Sequence, residues 1–380
     1  MEYVKLEEIC TIVSGGTPSR SKPNYWNNGN IPWIKIKDMK SKYIDSAEEF
    51  ITEEGLNNSS TKMLKRGTIL YSIFATLGEV GILKIDACTN QAIAGLSLKE
   101  DSNILKEYLY YYLKSKKKDV NNLGRGVAQN NINLSLLRKF KIPVIPLCQQ
   151  KKIIEVLDNV SSTINNYERE LALLDELVKA RFVEMFGDPV TNDMLWNTDV
   201  LKDICTKIGS GSTPRGGKES YIDEGISLIR SMNVHNAYFE YKDLAHITLD
   251  QAEKLNNVVV EHDDLLFNIT GASVARCCVV PSDVLPARVN QHVCILRCRE
   301  KINPIFLQGL LVNENYQGKL LQIAKSGATR EAINKQQLES LEIMIPPLEL
   351  QNQFASFVQE IDKSRLLSNH SLFLIKSIIF

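Results

Sequence analysis

The chain says nearly the same thing twice. Leu6-Glu7-Glu8-Ile9-Cys10-Thr11 returns as Leu201-Lys202-Asp203-Ile204-Cys205-Thr206, and each copy runs on into a glycine-rich turn ending in Thr-Pro, first as Gly16-Thr17-Pro18 and then as Ser212-Thr213-Pro214. The correspondence keeps its order. Gly67-Thr68-Ile69-Leu70-Tyr71-Ser72-Ile73 answers Asp263-Asp264-Leu265-Leu266-Phe267-Asn268-Ile269, Asn90-Gln91 answers Asn290-Gln291, and Ile132-Asn133 answers Ile333-Asn334. Each copy closes on a proline junction that opens a helix, Pro146-Leu147-Cys148-Gln149-Gln150 and Pro347-Leu348-Glu349-Leu350-Gln351. A chain of 380 residues built this way predicts two similar domains, each long enough to bury its own core.

Within each copy, short β-branched runs alternate with helical stretches, which predicts mixed α/β domains and an α+β molecule overall. Expected strands are Ile31 to Ile36, Thr68 to Phe74, Val80 to Ile85, Ala92 to Leu98 and Phe140 to Ile145 in the first copy. In the second they are Ile226 to Arg230, Asp264 to Ile269, Cys277 to Val280, Val293 to Arg297 and Leu341 to Ile345. Helices are expected over Ile104 to Lys118 and Pro304 to Ala324, each followed by a small-residue loop.

Between the copies lies the strongest periodicity. Ile153, Leu157, Val160, Ile164, Tyr167, Leu171, Leu174 and Val178 step alternately by four and three, Arg181 interrupts, and Met185 resumes the pattern. This predicts one helix from Gln150 to Phe186, on the order of 55 Å long at about 1.5 Å per residue, stopped by Gly187-Asp188-Pro189. The equivalent place in the second copy shows the same step through Phe354, Val358, Ile361, Leu372 and Ile375, with Arg365 and Ser368 as polar exceptions. Two such helices bury their seams by pairing, and an antiparallel coiled coil would hold the domains apart. The competing arrangement is each helix packed back on its own domain; five turns of unbroken heptad favour the coil. The expected organisation is a domain over 1–146, a helical spacer over 147–187, a second domain over 188–347 and a second spacer over 348–380.

Catalytic signatures are incomplete wherever the chain approaches one. Ser212 to Glu219 resembles a phosphate-binding loop, but serine replaces the first glycine, glutamate stands where the magnesium-binding hydroxyl belongs, and Pro214 removes an amide. Gly209-Ser210-Gly211 lacks the third glycine of a dinucleotide fingerprint. The single Pro-Pro, Pro346-Pro347, lacks the Asn/Asp and the aromatic that an amino-methylating loop needs. Glu261-His262-Asp263-Asp264 reads as a charged turn, since its counterpart is Leu64-Lys65-Arg66-Gly67, and the five histidines take no metal-ligand spacing. The expectation is a non-catalytic chain with no metal and no cofactor of its own. Eight scattered cysteines without a CxxC pair read as reduced thiols, and no stretch approaches the roughly 18 apolar residues of a membrane span, so a soluble cytoplasmic protein is expected.

What remains is recognition. Two similar domains on a helical spacer suit a target read in two pieces, and on one face of B-DNA such heads sit about 34 Å apart or a multiple of it. Candidate cations are Arg20, Lys22, Lys35, Lys37, Lys40 and Arg125 in the first copy, and Arg215, Lys218, Arg230, Arg276 and Arg330 in the second. Such side chains grip phosphates or pair with guanine, while Gln91, Gln129, Asn131, Asn268 and Gln291 can pair with adenine. The hydroxyls of Ser72, Thr76, Thr270 and Thr329 complete the candidate set. Any one of these taken alone is as well explained as a solvated surface residue. With 45 basic against 45 acidic residues the chain lacks the field of a strongly basic DNA binder, which points to a local footprint or a shared grip.

The doubled pattern resembles the specificity subunit of a type I restriction-modification system. Both domains open Leu-x-x-Ile-Cys and a Thr-Pro turn, and close on Ile142-Pro143-Val144-Ile145-Pro146-Leu147-Cys148-Gln149-Gln150 or Ile345-Pro346-Pro347-Leu348-Glu349-Leu350-Gln351 before a heptad helix. The central helix ends Ala180-Arg181-Phe182-Val183-Glu184-Met185-Phe186-Gly187-Asp188-Pro189, similar to that family's central junction. The resemblance implies two target recognition domains reading the halves of a split, asymmetric DNA sequence, with the coil setting the unread gap. It implies as partners two adenine methyltransferase subunits carrying S-adenosylmethionine and two ATP-dependent restriction subunits. The rivals are a protein-binding scaffold with duplicated domains and a fragment of a fused methyltransferase-nuclease, the latter lacking its catalytic motifs.

Overall fold

Each domain closes on itself by pairing its first strand with its last. In the computed structural model, which describes residues 2–124, 131–214, 216–326 and 331–379, strand Glu2–Lys5 runs antiparallel to Lys141–Val144, and Thr198–Val200 does the same with Glu342–Met344. The chain divides into two compact units, Met1–Asn166 with Leu374–Phe380, and Tyr167–Phe373.

In the first unit, a five-stranded sheet has the spatial order Cys10–Ser14, Ile93–Leu98, Ile69–Ser72, Val80–Leu83, Tyr43–Ile44. A three-stranded sheet lies beside it, ordered Glu49–Ile51, Ile31–Ile34, Cys88–Thr89. Strands Ile69–Ser72 and Val80–Leu83 are buried at every position, so they read as continuous apolar runs rather than alternating ones. Helix Lys106–Ser115 covers the sheet with Tyr108, Leu109, Tyr110, Tyr111 and Leu113. The second unit repeats the scheme: Cys205–Ser210, Val293–Cys298, Leu265–Asn268, Cys277–Val279 form one sheet, and Ala245–Ile247, Ile226–Ile229, Ala287–Val289, Val259–Val260 the other. Every expected strand is present, with ends trimmed by at most two residues except Val293–Cys298, which runs one residue past its expected end. The expected helices are each two: Lys106–Ser115 then Lys117–Gly124, and Pro304–Val312 then Glu314–Lys325. Asn313 makes the second break, extended at ψ 137° while its side chain caps the amides of Asn315 and Tyr316 at 3.0 and 3.3 Å. The eight cysteines are free thiols, and among the described residues no helix is long and apolar enough to cross a membrane.

The glutamine that ends each closing motif is fully buried and holds the start of its long helix. Gln150 Oε1 accepts from the Leu105 amide at 2.8 Å, while Nε2 donates to the carbonyls of Asn103 at 2.7 Å and Ile145 at 2.9 Å. Gln351 repeats this with the Asn303 amide at 2.9 Å and the carbonyls of Lys301 at 3.2 Å and Pro346 at 2.8 Å. The two helices are Leu147–Phe186 and Leu348–Ile379. Within the second unit they pair antiparallel. Phe182 meets Phe354 with ring centroids 5.4 Å apart, Arg365 reaches Asp175 at 2.6 Å, and Ser368 donates to Glu170 at 3.1 Å, so the partner number falls as the first number rises. The two polar exceptions of the seam are thereby satisfied across it. Phe182, Phe186, Phe306 and Phe354 form one aromatic knot with centroids 4.8 to 5.8 Å apart.

The beginning of the central helix corrects the expected seam. Ile153 is exposed, and it is Ile154 with Leu157 that packs against the first domain's own core. Val160, Ile164, Tyr167, Leu171, Leu174 and Val178 are all half-buried, and Phe354, Val358, Ile361, Leu372 and Ile375 are buried or half-buried. At that end Lys42 sits over the rings of Tyr111 at 4.7 Å and Tyr43 at 5.4 Å and pairs with Asp158, which also accepts from Tyr111 Oη at 2.5 Å.

The copies also differ in their cores. Thr68 Oγ1 lies 3.2 Å from Ser97 Oγ, and the equivalent pair in the second unit is Asp264 with Arg297. Asp264 is fully buried and takes a two-pronged grip, Nε to Oδ1 at 2.8 Å and Nη2 to Oδ2 at 2.9 Å, with Glu261 on Nη1 at 2.5 Å. Those carboxylates push the Arg297 guanidinium above its ordinary pKa.

Two outcomes follow. Gln150→Ala leaves three part-buried backbone groups without their partner, so the first unit loses about 1–3 kcal/mol and the Leu105 amide loses protection against hydrogen exchange; unchanged protection overturns the clasp. Arg297→Ala strands a buried carboxylate and costs about 3 kcal/mol or more, whereas Asp264→Thr with Arg297→Ser, which installs the first copy's pair, recovers most of the urea midpoint.

Candidate nucleic-acid interface

Close backbone approach builds the same polar end on both domains. After strand Cys10–Ser14 the chain meets Gly15, where a Cβ would lie 2.1 Å from the Asn90 carbonyl oxygen, and after Cys205–Ser210 it meets Gly211, where a Cβ would lie 1.8 Å from the Val289 carbonyl oxygen. Only glycine fits there. Each next turn carries a threonine to a glutamine across the sheet end: Thr17 Oγ1 donates to Gln91 Oε1, and Thr213 Oγ1 donates to Gln291 Oε1. Asn90 and Asn290 fix those glutamines, each side chain accepting from the amide two residues on, at 3.1 and 3.0 Å. Gln91 and Gln291 are exposed.

A turn projects beside each pair. It follows strand Ile69–Ser72 in the first domain and Leu265–Asn268 in the second. Phe74 bridges to Asn131, and Thr270 bridges to Ala332. Phe74 and Thr76 are exposed, and Asn131 is half-buried. Thr270 Oγ1 lies 2.6 Å from His292 Nδ1, whose Nε2 is 3.2 Å from Gln291 Nε2, so hydroxyl, imidazole and amide form one chain.

Two candidates are corrected here. Ser72 and Asn268 have no exposure. Ser72 Oγ donates to the Thr76 carbonyl at 2.5 Å and accepts from the Glu79 amide at 2.7 Å, and Asn268 Nδ2 donates to the carbonyls of Ser231 at 2.9 Å and Val234 at 3.3 Å. They brace the turn from inside and cannot touch a base. Arg125, Gln129, Arg215, Thr329 and Arg330 lie outside the described residues.

The remaining cations are mostly committed. In the first domain Glu49 receives both Arg20, at 2.5 Å, and Lys35, while Glu48 receives Lys37 and, at 3.9 Å, Lys40. Arg20 also lies 3.6 Å from the centroid of Trp26, whose neighbour Trp33 donates Nε1 to the Gly16 carbonyl at 3.0 Å and so ties this cluster to the Thr17 turn. Lys22 donates to Tyr25 Oη at 3.0 Å, and that bond raises the pKa of its amine. Glu48 and Glu49 are held below the usual carboxylate range by hydrogen bonds from Lys37 to the first and from Lys35 and Arg20 to the second, in Glu49 against a larger opposing cost of burial. In the second domain Arg230 takes the place of Lys35, since the Ile34 and Ile229 carbonyls both accept from the equivalent Asn90 and Asn290 amides. It donates to the Asp243 carbonyl and lies 5.4 Å from the Tyr221 ring. Lys218 is exposed. Arg276 Nη1 is 3.4 Å from His235 Nδ1, and His235 stacks on Tyr238 with centroids 4.6 Å apart. Sequence reading missed Trp26, His235, Tyr238, His292 and the two glutamates, because each acts through a partner brought close only by folding. No group of three His, Cys, Asp or Glu is placed to hold a metal ion among the described residues.

With that geometry in hand, the known proteins are informative. The family model for the type I restriction modification DNA specificity domain matches residues 1–175 and again 194–375. The specificity subunit of the MjaIX type I restriction enzyme of Methanocaldococcus jannaschii is 26% identical over 398 aligned residues, covering 98% of this chain and 89% of that one. The EcoR124I/EcoR124II specificity subunit of Escherichia coli is 34% identical over 188 residues, covering 48% of this chain and 46% of that one, so this match spans less than half of either protein. The crystal structure of the type I system S subunit from M. genitalium aligns with a TM-score of 0.59 at 14% identity, over 100% of this chain and 93% of that one, and so shares the fold. The doubled family match, falling on the two halves whose backbone geometry repeats, shows that the chain belongs to the type I restriction-modification DNA specificity family and carries its domain twice.

Proposed function

We propose that this chain, a non-catalytic specificity subunit, reads a split and asymmetric double-stranded DNA target, one half with each domain, and brings adenine methyltransferase subunits to it. S-adenosylmethionine and ATP belong to those methyltransferase partners and to restriction subunits in the complete complex, and the assembly works in the cytoplasm. One observation carries the reading: both domains present the same Thr–Gln pair beside the same turn, yet surround it with unlike side chains. The first offers Arg20 on Trp26 with Lys35 and Glu49 where the second has Arg230 beside Tyr221, and the adjoining turn closes on Glu79 in the first but on Arg276, facing His235, in the second. A shared frame with different contents suits two half-sites of different sequence.

The neutral formal charge and the committed lysines support a shared grip. Ion pairs on Glu48 and Glu49 compete with phosphates for the first domain's cations, so the chain alone binds DNA weakly and gains selectivity with its methyltransferase.

Sequencing the methylated bases in a host that expresses the chain with its methyltransferase tests the central reading. The expected motif has two unlike halves around unread bases, and a palindromic motif or an uninterrupted one overturns it. A second measurement addresses the grip. Glu48→Gln with Glu49→Gln frees Arg20, Lys35 and Lys37, so non-specific binding of the isolated chain to duplex DNA tightens at low salt and its salt slope steepens by about one per phosphate engaged. Nanomolar, sequence-selective binding by the unsubstituted chain in physiological salt overturns the shared grip.

A further inference from the structure

One backbone position carries opposite charge in the two domains. The Ser72 amide donates to the Glu79 carbonyl at 2.9 Å and the Asn268 amide donates to the Arg276 carbonyl at 2.8 Å, so Glu79 and Arg276 close equivalent turns. Residues just before them match too: Gly78 and Ala275 both take positive φ, 79° and 69°, and each amide bonds back to the strand end. Glu79 is held by Lys117 at 2.6 Å. Arg276 instead faces His235, its Nη1 3.4 Å from His235 Nδ1. The imidazole lies flat on Tyr238, 11° from parallel, on the hairpin Val234–His235 and Tyr238–Phe239. That hairpin turns through Ala237 at φ 62° and is tied down by the Ala237 amide on the Cys277 carbonyl at 2.9 Å. Tyr238 is 55% exposed, and the guanidinium and imidazole beside it are half-buried, each with part of its surface open to a ligand.

We infer that Arg276, braced by the His235–Tyr238 stack, is a specificity-determining residue of the second domain and reads guanine, whereas Thr213–Gln291 and Thr17–Gln91 grip the DNA backbone. This rests on the split-target reading. A side-chain pair identical in both domains cannot distinguish half-sites that differ, so discrimination falls to positions where the domains differ, and the turn beside each pair carries such a difference in its reversal of charge from Glu79 to Arg276. Guanine presents N7 and O6 as a paired acceptor edge in the major groove, which matches a guanidinium fork. The stack removes rotational freedom from that fork before DNA arrives, since Arg276 is held from the side by an imidazole that is itself clamped.

The test uses the full-length chain co-expressed with the methyltransferase subunits of its own system, with methylated bases sequenced genome-wide. Arg276→Ala and Arg276→Lys, the latter keeping the charge but losing the fork, both relax one guanine position in one half of the motif. Discrimination there falls about tenfold or more, and the other half is untouched. Thr213→Val with Gln291→Ala lowers methylation at all sites and leaves the motif intact. If the unsubstituted chain yields no two-part motif, the split-target reading itself has failed. If it yields one but both Arg276 variants methylate the unaltered motif, relax both halves, or lose methylation while melting like the parent, the assignment of Arg276 is overturned.

Discussion

Each long helix leaves its domain through a proline, and the following turn carries a glutamine with no exposure to solvent. That side chain meets all its obligations locally: its oxygen takes an amide from the loop before a domain helix, and its nitrogen serves one carbonyl there and another at the closing strand. Three short segments are thereby locked to one side chain. A buried amide left half-satisfied would cost more than it returns, so the arrangement holds as a unit or not at all. Since the same contacts recur 201 positions later, at Gln351 for Gln150, the direction in which a helix leaves a domain is set once and used twice. The pairing of the helices inside the second unit, and the aromatic knot under it, depend on that exit.

How far the sequence could be read follows from which interactions are local. Alternation and apolar runs located the longer core strands, because burial is a property of a strand's own residues, but not Cys10–Ser14, Cys205–Ser210, Ala245–Ile247 or Ala287–Val289, whose short or polar-interrupted runs are made strands by their neighbours. The break at Asn313 was hidden at the polar end of an apolar run, since a capping asparagine and an exposed polar residue look alike until the amides of Asn315 and Tyr316 are found on it. The heptad was legible where the helices pair and misleading where they do not. Ile153 fits the repeat as well as Leu157, but the first domain's core takes Ile154 and Leu157, and a domain surface accepts a helix stripe on a different phase from a coiled-coil partner. Arg365 and Ser368, exceptions on paper, are seam residues whose partners Asp175 and Glu170 lie on the other helix.

The interface was less legible, for a physical reason. Residue type names the chemistry a side chain can perform but not whether it is already performing it. Arg20, Lys35 and Lys37 read as free phosphate grips and are instead bound to Glu49 and Glu48, while Ser72 and Asn268 are polar, sit next to the turn, and face inward. What sequence comparison of the two halves did locate was Gln91 and Gln291, because the repeat preserved them together with the preceding asparagine, and folding gives both the same threonine partner.

Duplication therefore separates two kinds of constraint that a single domain would leave entangled. Positions answerable to the backbone have stayed alike: the glycine pressed against a carbonyl, the glutamine clasp, the asparagine before each exposed glutamine, the caps on Asn133 and Asn334. Positions answerable only to a neighbouring side chain have exchanged in pairs. Inside the fold Asp264 with Arg297 stands where Thr68 stands with Ser97, and at its edge Arg276 stands where Glu79 does, the first facing His235 from a hairpin and the second held by Lys117 from a helix. The interior exchange must preserve neutrality, because a buried charge without a partner costs several kcal/mol. The exchange at the edge is under no such restriction, as water or a ligand can complete it. A reversal of sign is tolerable there, and where the ligand is a base edge it changes which base is accepted.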